Sequence, residues 1–116
     1  MANGTDGNDA GRSGFVPVAQ VGELPRGGKL GRVVSGTRIL LVHLKGGIHA
    51  YEDRCAHRDV PLCEGTLEGS VLTCRAHDWR YDAGTGCGID RPGVRLRRYP
   101  MQIEGSHILV DLGGEP

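Results

Sequence analysis

From Phe15 onward the chain is a succession of short runs rich in Val, Ile and Leu, with Gly, Pro, Asp and Ser at the breaks. Runs of that length and composition predict antiparallel strands, because β-branched and aliphatic side chains pack well on a pleated surface while glycine and proline interrupt it. The candidate strands are Phe15–Gln20, Lys29–Val34, Arg38–Leu44, Ile48–Glu52, Ser70–Thr73, Trp79–Tyr81, Arg97–Glu104 and His107–Val110. Lys45-Gly46-Gly47 and Gly105-Ser106 read as hairpin turns, since glycine reaches positive φ at no steric cost. A helical turn is expected only over Val21–Leu24, ahead of Pro25. With no internal repeat and no amphipathic helical stretch, the fold class is all-β.

Composition separates the two ends of this pattern. Residues 1–14 hold four glycines among small polar residues, too little apolar surface to offset the entropy of ordering, so a disordered tail is expected. The remaining chain, about residues 15–112 of 116, fits a single domain of ordinary size, with no room for a second catalytic one. Fourteen basic and fourteen acidic residues cancel, which removes the electrostatic case for nucleic acid or an anionic membrane surface. No apolar run reaches the ~20 residues needed to span a bilayer, and no charged-then-apolar leader is visible. A cytoplasmic protein is the expectation, in which four cysteines would stay reduced.

Those cysteines redirect attention to chemistry. Cys55 and His57 form a Cys-x-His pair, Cys74 and His77 a Cys-x-x-His pair, with sixteen residues between the pairs. Two thiolates and two imidazoles suit either zinc or an iron–sulfur centre. A zinc hook usually separates its two ligands by two to four residues so that both reach one ion; here Ala56 alone separates Cys55 from His57. That tight spacing favours two neighbouring metals, each loop giving its cysteine to one iron and its histidine to the other. A zinc-binding interaction module remains the alternative from another class. Cys63 and Cys87 do not complete the spacing of plant-type four-cysteine ferredoxins and are read as free thiols.

The stretch from Cys55 to Gly88, CAHRDVPLCEGTLEGSVLTCRAHDWRYDAGTGCG, resembles the cluster motif of Rieske [2Fe–2S] proteins. It resembles in particular the small ferredoxins of multicomponent aromatic and alkene (toluene-type) monooxygenases with diiron hydroxylases. The likeness extends over about residues 15–111. It implies an antiparallel β-sandwich with a small cluster-binding subdomain at about residues 53–93, and one [2Fe–2S] cluster held by Cys55, His57, Cys74 and His77. It also implies a role as a cytoplasmic carrier of single electrons in aromatic hydrocarbon catabolism. The donor would be an NAD(P)H-oxidising flavoprotein reductase and the acceptor a diiron hydroxylase, with the carrier a monomer that forms transient complexes. A ferredoxin of a ring-hydroxylating dioxygenase, or a small subunit of a nitrite-reductase-type enzyme, would share the motif. No catalytic constellation or dinucleotide fingerprint accompanies it, so substrate chemistry belongs to another protein.

Charge arithmetic bears on the potential. With two thiolates and two neutral imidazoles an oxidised two-iron, two-sulfide core is neutral overall, whereas four thiolates leave it doubly negative. Reduction is therefore easier, one reason Rieske centres lie at about −150 to +300 mV and plant-type clusters near about −400 mV. High-potential Rieske proteins carry a disulfide between their ligand loops and a serine after the last histidine; the matching positions here are Val60, Ala76 and Trp79. Their absence places the expected potential near about −150 mV. Tyr81 matches a tyrosine that donates to a ligand sulfur in those proteins, and Pro92 a proline loop covering the cluster. Trp79 is expected either to pack beneath the loop as core or to lie beside the histidines as a docking residue. The resemblance also places the rings of His57 and His77 at the solvent-facing tip. Arg54, Arg58, Arg75 and Arg80 flank the ligands, and Arg91, Arg95, Arg97 and Arg98 follow, a solvated face that can steer an acidic partner. His43, His49 and His107 lie in strand-like runs and are read as structural or solvated.

Overall fold

The computed structural model describes residues 14–56, 60–75, 79–91 and 93–113. Ten strands follow one another: β1 (Phe15–Gln20), β2 (Lys29–Val34), β3 (Thr37–Leu44), β4 (Gly47–Glu52), β5 (Thr66–Glu68), β6 (Val71–Thr73), β7 (Arg80–Asp82), β8 (Arg98–Tyr99), β9 (Met101–Glu104) and β10 (His107–Asp111). Two 3₁₀ turns, Val21–Glu23 and Leu62–Glu64, complete the elements among the described residues. The strands pair antiparallel in three sheets, ordered β1-β10-β9, β2-β3-β4-β8 and β5-β6-β7.

β3 explains how the layers stack. Ile39, Leu40, Leu41 and Val42 are all 0 % exposed, a continuous apolar run rather than an alternating one. Successive strand residues point to opposite faces, so such a run requires cover on both. Leu40, Val42 and Leu44 join Tyr51, Leu62, Leu72 and Tyr81 in one buried cluster. Ile39 and Leu41 join Val18, Ala50, Ile108 and Val110 in another. The four-stranded sheet is thus the middle layer, with the β1-β10-β9 sheet on one face and the β5-β6-β7 sheet on the other. Each fully buried Leu, Ile or Val contributes about 1.5–3 kcal/mol.

Turn chemistry fixes the register of the middle layer. Between β2 and β3 the two residues Ser35 and Gly36 both have positive φ, 53° and 79°, the combination that matches the twist of a tight two-residue hairpin. β8 returns to pair beside β4, with Ala50 opposite Tyr99 and Tyr51 opposite Arg98, and the Glu52 amide donates to Arg97 O at 2.9 Å. Everything between β4 and β8 is therefore an excursion that leaves the middle sheet and re-enters it next door.

The strand expectations hold at the long, apolar segments: Phe15–Gln20 and Lys29–Val34 appear with those bounds. Two details differ. The run Arg97–Glu104 is not one strand, because Pro100 has no N–H for a ladder; the chain leaves the middle sheet after Tyr99 and joins β10 from Met101. Thr66–Glu68 forms β5 although Leu67 is its only apolar residue. The expected tail at residues 1–14 lies, except for Gly14, outside the described residues. No helix among the described residues is long and apolar enough to cross a membrane.

Candidate metal centre

Cys55 and Cys74 are each 0 % exposed, and both belong to the buried cluster on the β5-β6-β7 side of the middle sheet. Each opens a loop closed in the same way. The Cys55 amide donates to Val60 O at 3.0 Å, and the Cys74 amide donates to Trp79 O at 2.8 Å. In both cases the acceptor lies five residues downstream, and the sequence places His57 within the first closure and His77 within the second. His57, His77, Arg58 and Pro92 lie outside the described residues.

The second loop is the tip of a hairpin: Thr73 of β6 faces Arg80 of β7, and the Cys74 to Trp79 bond continues that ladder. Trp79 is half-buried and packs against the buried cluster, while the Arg91 guanidinium lies 4.1 Å from its ring centroid. Trp79 is thus packed against the core on one side and in contact with a surface cation on the other. Arg80 forms a two-pronged pair with Asp90, at 3.0 and 2.7 Å, which ties the start of β7 to the segment leading toward Pro92.

The first loop has no such ladder. β4 ends at Glu52, and among the described residues up to Pro61 and the Leu62–Glu64 turn there is no strand pairing. Tyr81 supplies part of the support. Its hydroxyl accepts the Ala56 amide at 3.1 Å and lies 3.2 Å from Cys55 Sγ. A phenol that accepts an N–H has its own proton available, and a metal-bound thiolate could only accept, so with Cys55 as a ligand the O–H would donate to sulfur. Burial, then the contact with Cys55, pushes the Tyr81 hydroxyl well above the usual tyrosine range, so it keeps that proton at neutral pH.

The remaining candidates are dispersed. Cys63 and Cys87 are free thiols with opposite character. Burial, then the Asp53 carboxylate, pushes Cys63 up to about 11, whereas Thr85 and then Arg95 pull Cys87 below the usual thiol range. His49 accepts from Arg98 at Nδ1, 2.7 Å, and burial followed by Arg98 lowers its pKa. His43 Nδ1 contacts Leu24 O at 2.9 Å. A cavity of about 710 Å³ lined by Arg26, His43, Lys45, His49 and Ser70 lies at the β3–β4 and β5–β6 turns, at the ends of β4 and β6 remote from Cys55 and Cys74. The arginines read as one face also separate: Arg75 pairs with Glu64 at 2.7 Å, Arg97 lies over Tyr99, and Arg98 over Tyr51.

Two buried sulfurs at the mouths of matched loops, in an apolar wall and with a phenol O–H on one of them, suit a sulfur-ligated cluster kept from water. The class follows from the whole chain: residues 14–100 match the Rieske [2Fe–2S] domain, and the chain belongs to that family, whose cofactor is one Rieske-type [2Fe–2S] cluster. The zinc alternative falls with that assignment.

Its relatives define the kind of Rieske protein. It is 42 % identical over 79 residues to the ferredoxin component of the alkene monooxygenase system of Xanthobacter autotrophicus, covering 67 % of this chain and 63 % of that one. That is somewhat less than two thirds of the relative's length. It is 34 % identical over 99 residues to the ferredoxin component of the naphthalene 1,2-dioxygenase system of Pseudomonas aeruginosa, covering 84 % and 95 %. Among solved structures, the ferredoxin of carbazole 1,9a-dioxygenase from Nocardioides aromaticivorans superposes with a TM-score of 0.75 at 29 % identity, over 84 % of this chain and 97 % of that one. These relatives are electron-transfer components of oxygenase systems and not the oxygenases themselves.

Proposed function

We propose that this chain is the Rieske ferredoxin of a multicomponent hydrocarbon monooxygenase, taking electrons from an NAD(P)H-oxidising flavoprotein reductase and delivering them to a diiron hydroxylase in the cytoplasm. In this reading Cys55 and Cys74 ligate one iron and His57 and His77 the other, within a cluster-binding subdomain at about residues 53–93 of a domain at 15–112. The bound cluster supplies reversible one-electron chemistry near the low end of the Rieske range, about −150 mV. Tyr81 stabilises charge on Cys55 by donating its O–H. The apolar side chains around the two sulfurs keep water out, so charge there is weakly screened and the phenol proton counts for more. Trp79 and the loop containing Pro92 form part of the docking face, and the protein works as a monomer with short-lived complexes, as small electron carriers do.

The observation that carries this reading is the pair of buried cysteines opening identically closed loops, in a chain 42 % identical to an alkene monooxygenase ferredoxin. One fact favours a second reading, service to a ring-hydroxylating dioxygenase: the match to the naphthalene dioxygenase ferredoxin spans 95 % of that protein. Reconstituting turnover with each kind of terminal oxygenase and a common reductase separates them. Support of the diiron hydroxylase is expected; support of the dioxygenase alone overturns the first reading.

A further inference from the structure

Asp53 is the only buried polar or charged side chain among the described residues, 4 % exposed. A carboxylate is costly to bury unless hydrogen bonds replace its water, so its partners indicate its purpose. Oδ1 accepts the Cys63 amide at 2.8 Å. The Asp53 amide donates to Arg38 O of β3 at 3.0 Å, and Cys63 O accepts from Lys29 Nζ of β2 at 2.5 Å. The chain therefore leaves the middle sheet at Asp53, runs through Cys55 and Val60, and is fastened again at Cys63 to the residue it left from. β2 accommodates this closely. A Cβ added at Gly31 would stand 2.6 Å from Cys63 Sγ and 3.1 Å from Asp53 Oδ2, both inside contact distance.

We propose that Asp53 is the positioning residue of the first ligand loop: its carboxylate, clamped to the Cys63 backbone across Gly31, holds the loop carrying Cys55 and His57 at the spacing the cluster needs. This takes the place of the β-ladder that holds the second loop. It rests on the ligand set proposed above. A carboxylate serving only global stability would give uniform loss of folding, whereas a loop brace acts on the cluster and on local amides.

The test compares Asp53→Ala, Asp53→Asn and Gly31→Ala with the wild-type holoprotein, reading iron per chain, the rate of cluster bleaching, and the electron paramagnetic resonance signal of the reduced protein. Asp53→Ala removes the acceptor from a buried N–H and is expected to bleach about tenfold faster, with altered g values. Asp53→Asn keeps an acceptor oxygen and should recover most of the wild-type rate and signal. Gly31→Ala, which leaves Asp53 intact, should shift both readouts in the same direction as alanine at 53. If Asp53→Ala does not fold, amide exchange in Gly31→Ala decides, with Asp53→Asn expected to stay near wild type: faster exchange at Cys63 in Gly31→Ala with β3 unchanged supports the brace, and uniform loss overturns it. Wild-type bleaching and g values in Asp53→Ala, or no rescue by asparagine, also overturn it. His57→Ala tests the ligand set separately: an intact cluster there, alongside rapid bleaching in Asp53→Ala, sinks the ligands but leaves the brace.

Discussion

The two ligand loops share one closure, cysteine N–H to the carbonyl five residues on, yet they are supported by different physics. The loop opened by Cys74 caps the β6–β7 hairpin, so backbone hydrogen bonds that any sequence can make deliver both its ends. The loop opened by Cys55 hangs between the end of β4 and a 3₁₀ turn, and side chains stitch it down: Asp53 at its feet, Tyr81 at its crown. A ladder tolerates substitution at its exposed positions, since the bonds belong to the main chain. A stitched loop concentrates its stability in a few replaceable groups, so variation should be felt more sharply in the first loop than in the second.

Removing a proposed ligand should affect both loops alike and is the largest expected effect. Cys55→Ser, Cys74→Ser, His57→Ala and His77→Ala should each leave purified protein without the visible absorption and reduced resonance signal of a Rieske centre; iron and sulfide analysis checks this. Next comes the support of the hairpin. Leu72 is 0 % exposed, opposite Leu67 and Tyr81 in the small sheet. Leu72→Ala should cost about 2–5 kcal/mol in denaturant unfolding, and the second loop should fray with the sheet that carries it.

Tyr81→Phe separates the loops more finely. It removes the proton given to Cys55 and leaves the Ala56 N–H without its acceptor, while β7 keeps its backbone bonds. The reduced state is the more negative and gains more from that proton, so the midpoint potential should fall, on the order of tens of millivolts; spectroelectrochemical titration reads it. The flanking thiols should differ as their surroundings dictate. At pH 7 to 8 an alkylating reagent should modify Cys87 first, since Thr85 and Arg95 favour its thiolate. Cys63, held protonated up to about 11, should lag until the fold opens, as mass spectrometry of timed digests would show. Smallest is Arg75→Gln at the exposed pair with Glu64, expected to change stability by about 0–1 kcal/mol, less at high salt.

Much of this was legible in the residues. The apolar runs announced β1 to β4 because strands covered on one or both faces must be aliphatic, and Cys-x-His with Cys-x-x-His announced the cofactor because few centres take that donor set. β5 was not legible, since it earns its place by pairing with β6 rather than through its own apolar content. The break at Pro100 was signalled by the residue itself and passed over within a longer β-rich run. Asp53 could not be singled out: an acidic residue near a turn is ordinarily solvated, and only its partner ten positions later, brought close by the fold and admitted by a bare glycine on β2, makes it different. Tyr81 was found through resemblance; its distance from Cys55 in the chain hides the contact from any local pattern.

The side-by-side return of β8 along β4 makes the intervening stretch a single insertion between two neighbouring strands. Its entry and exit are anchored a single strand spacing apart, so its loops can vary in length at a closure penalty that grows only logarithmically. Leu62, Leu72 and Tyr81, by contrast, are fixed by their cover of Leu40 and Val42 in the host sheet.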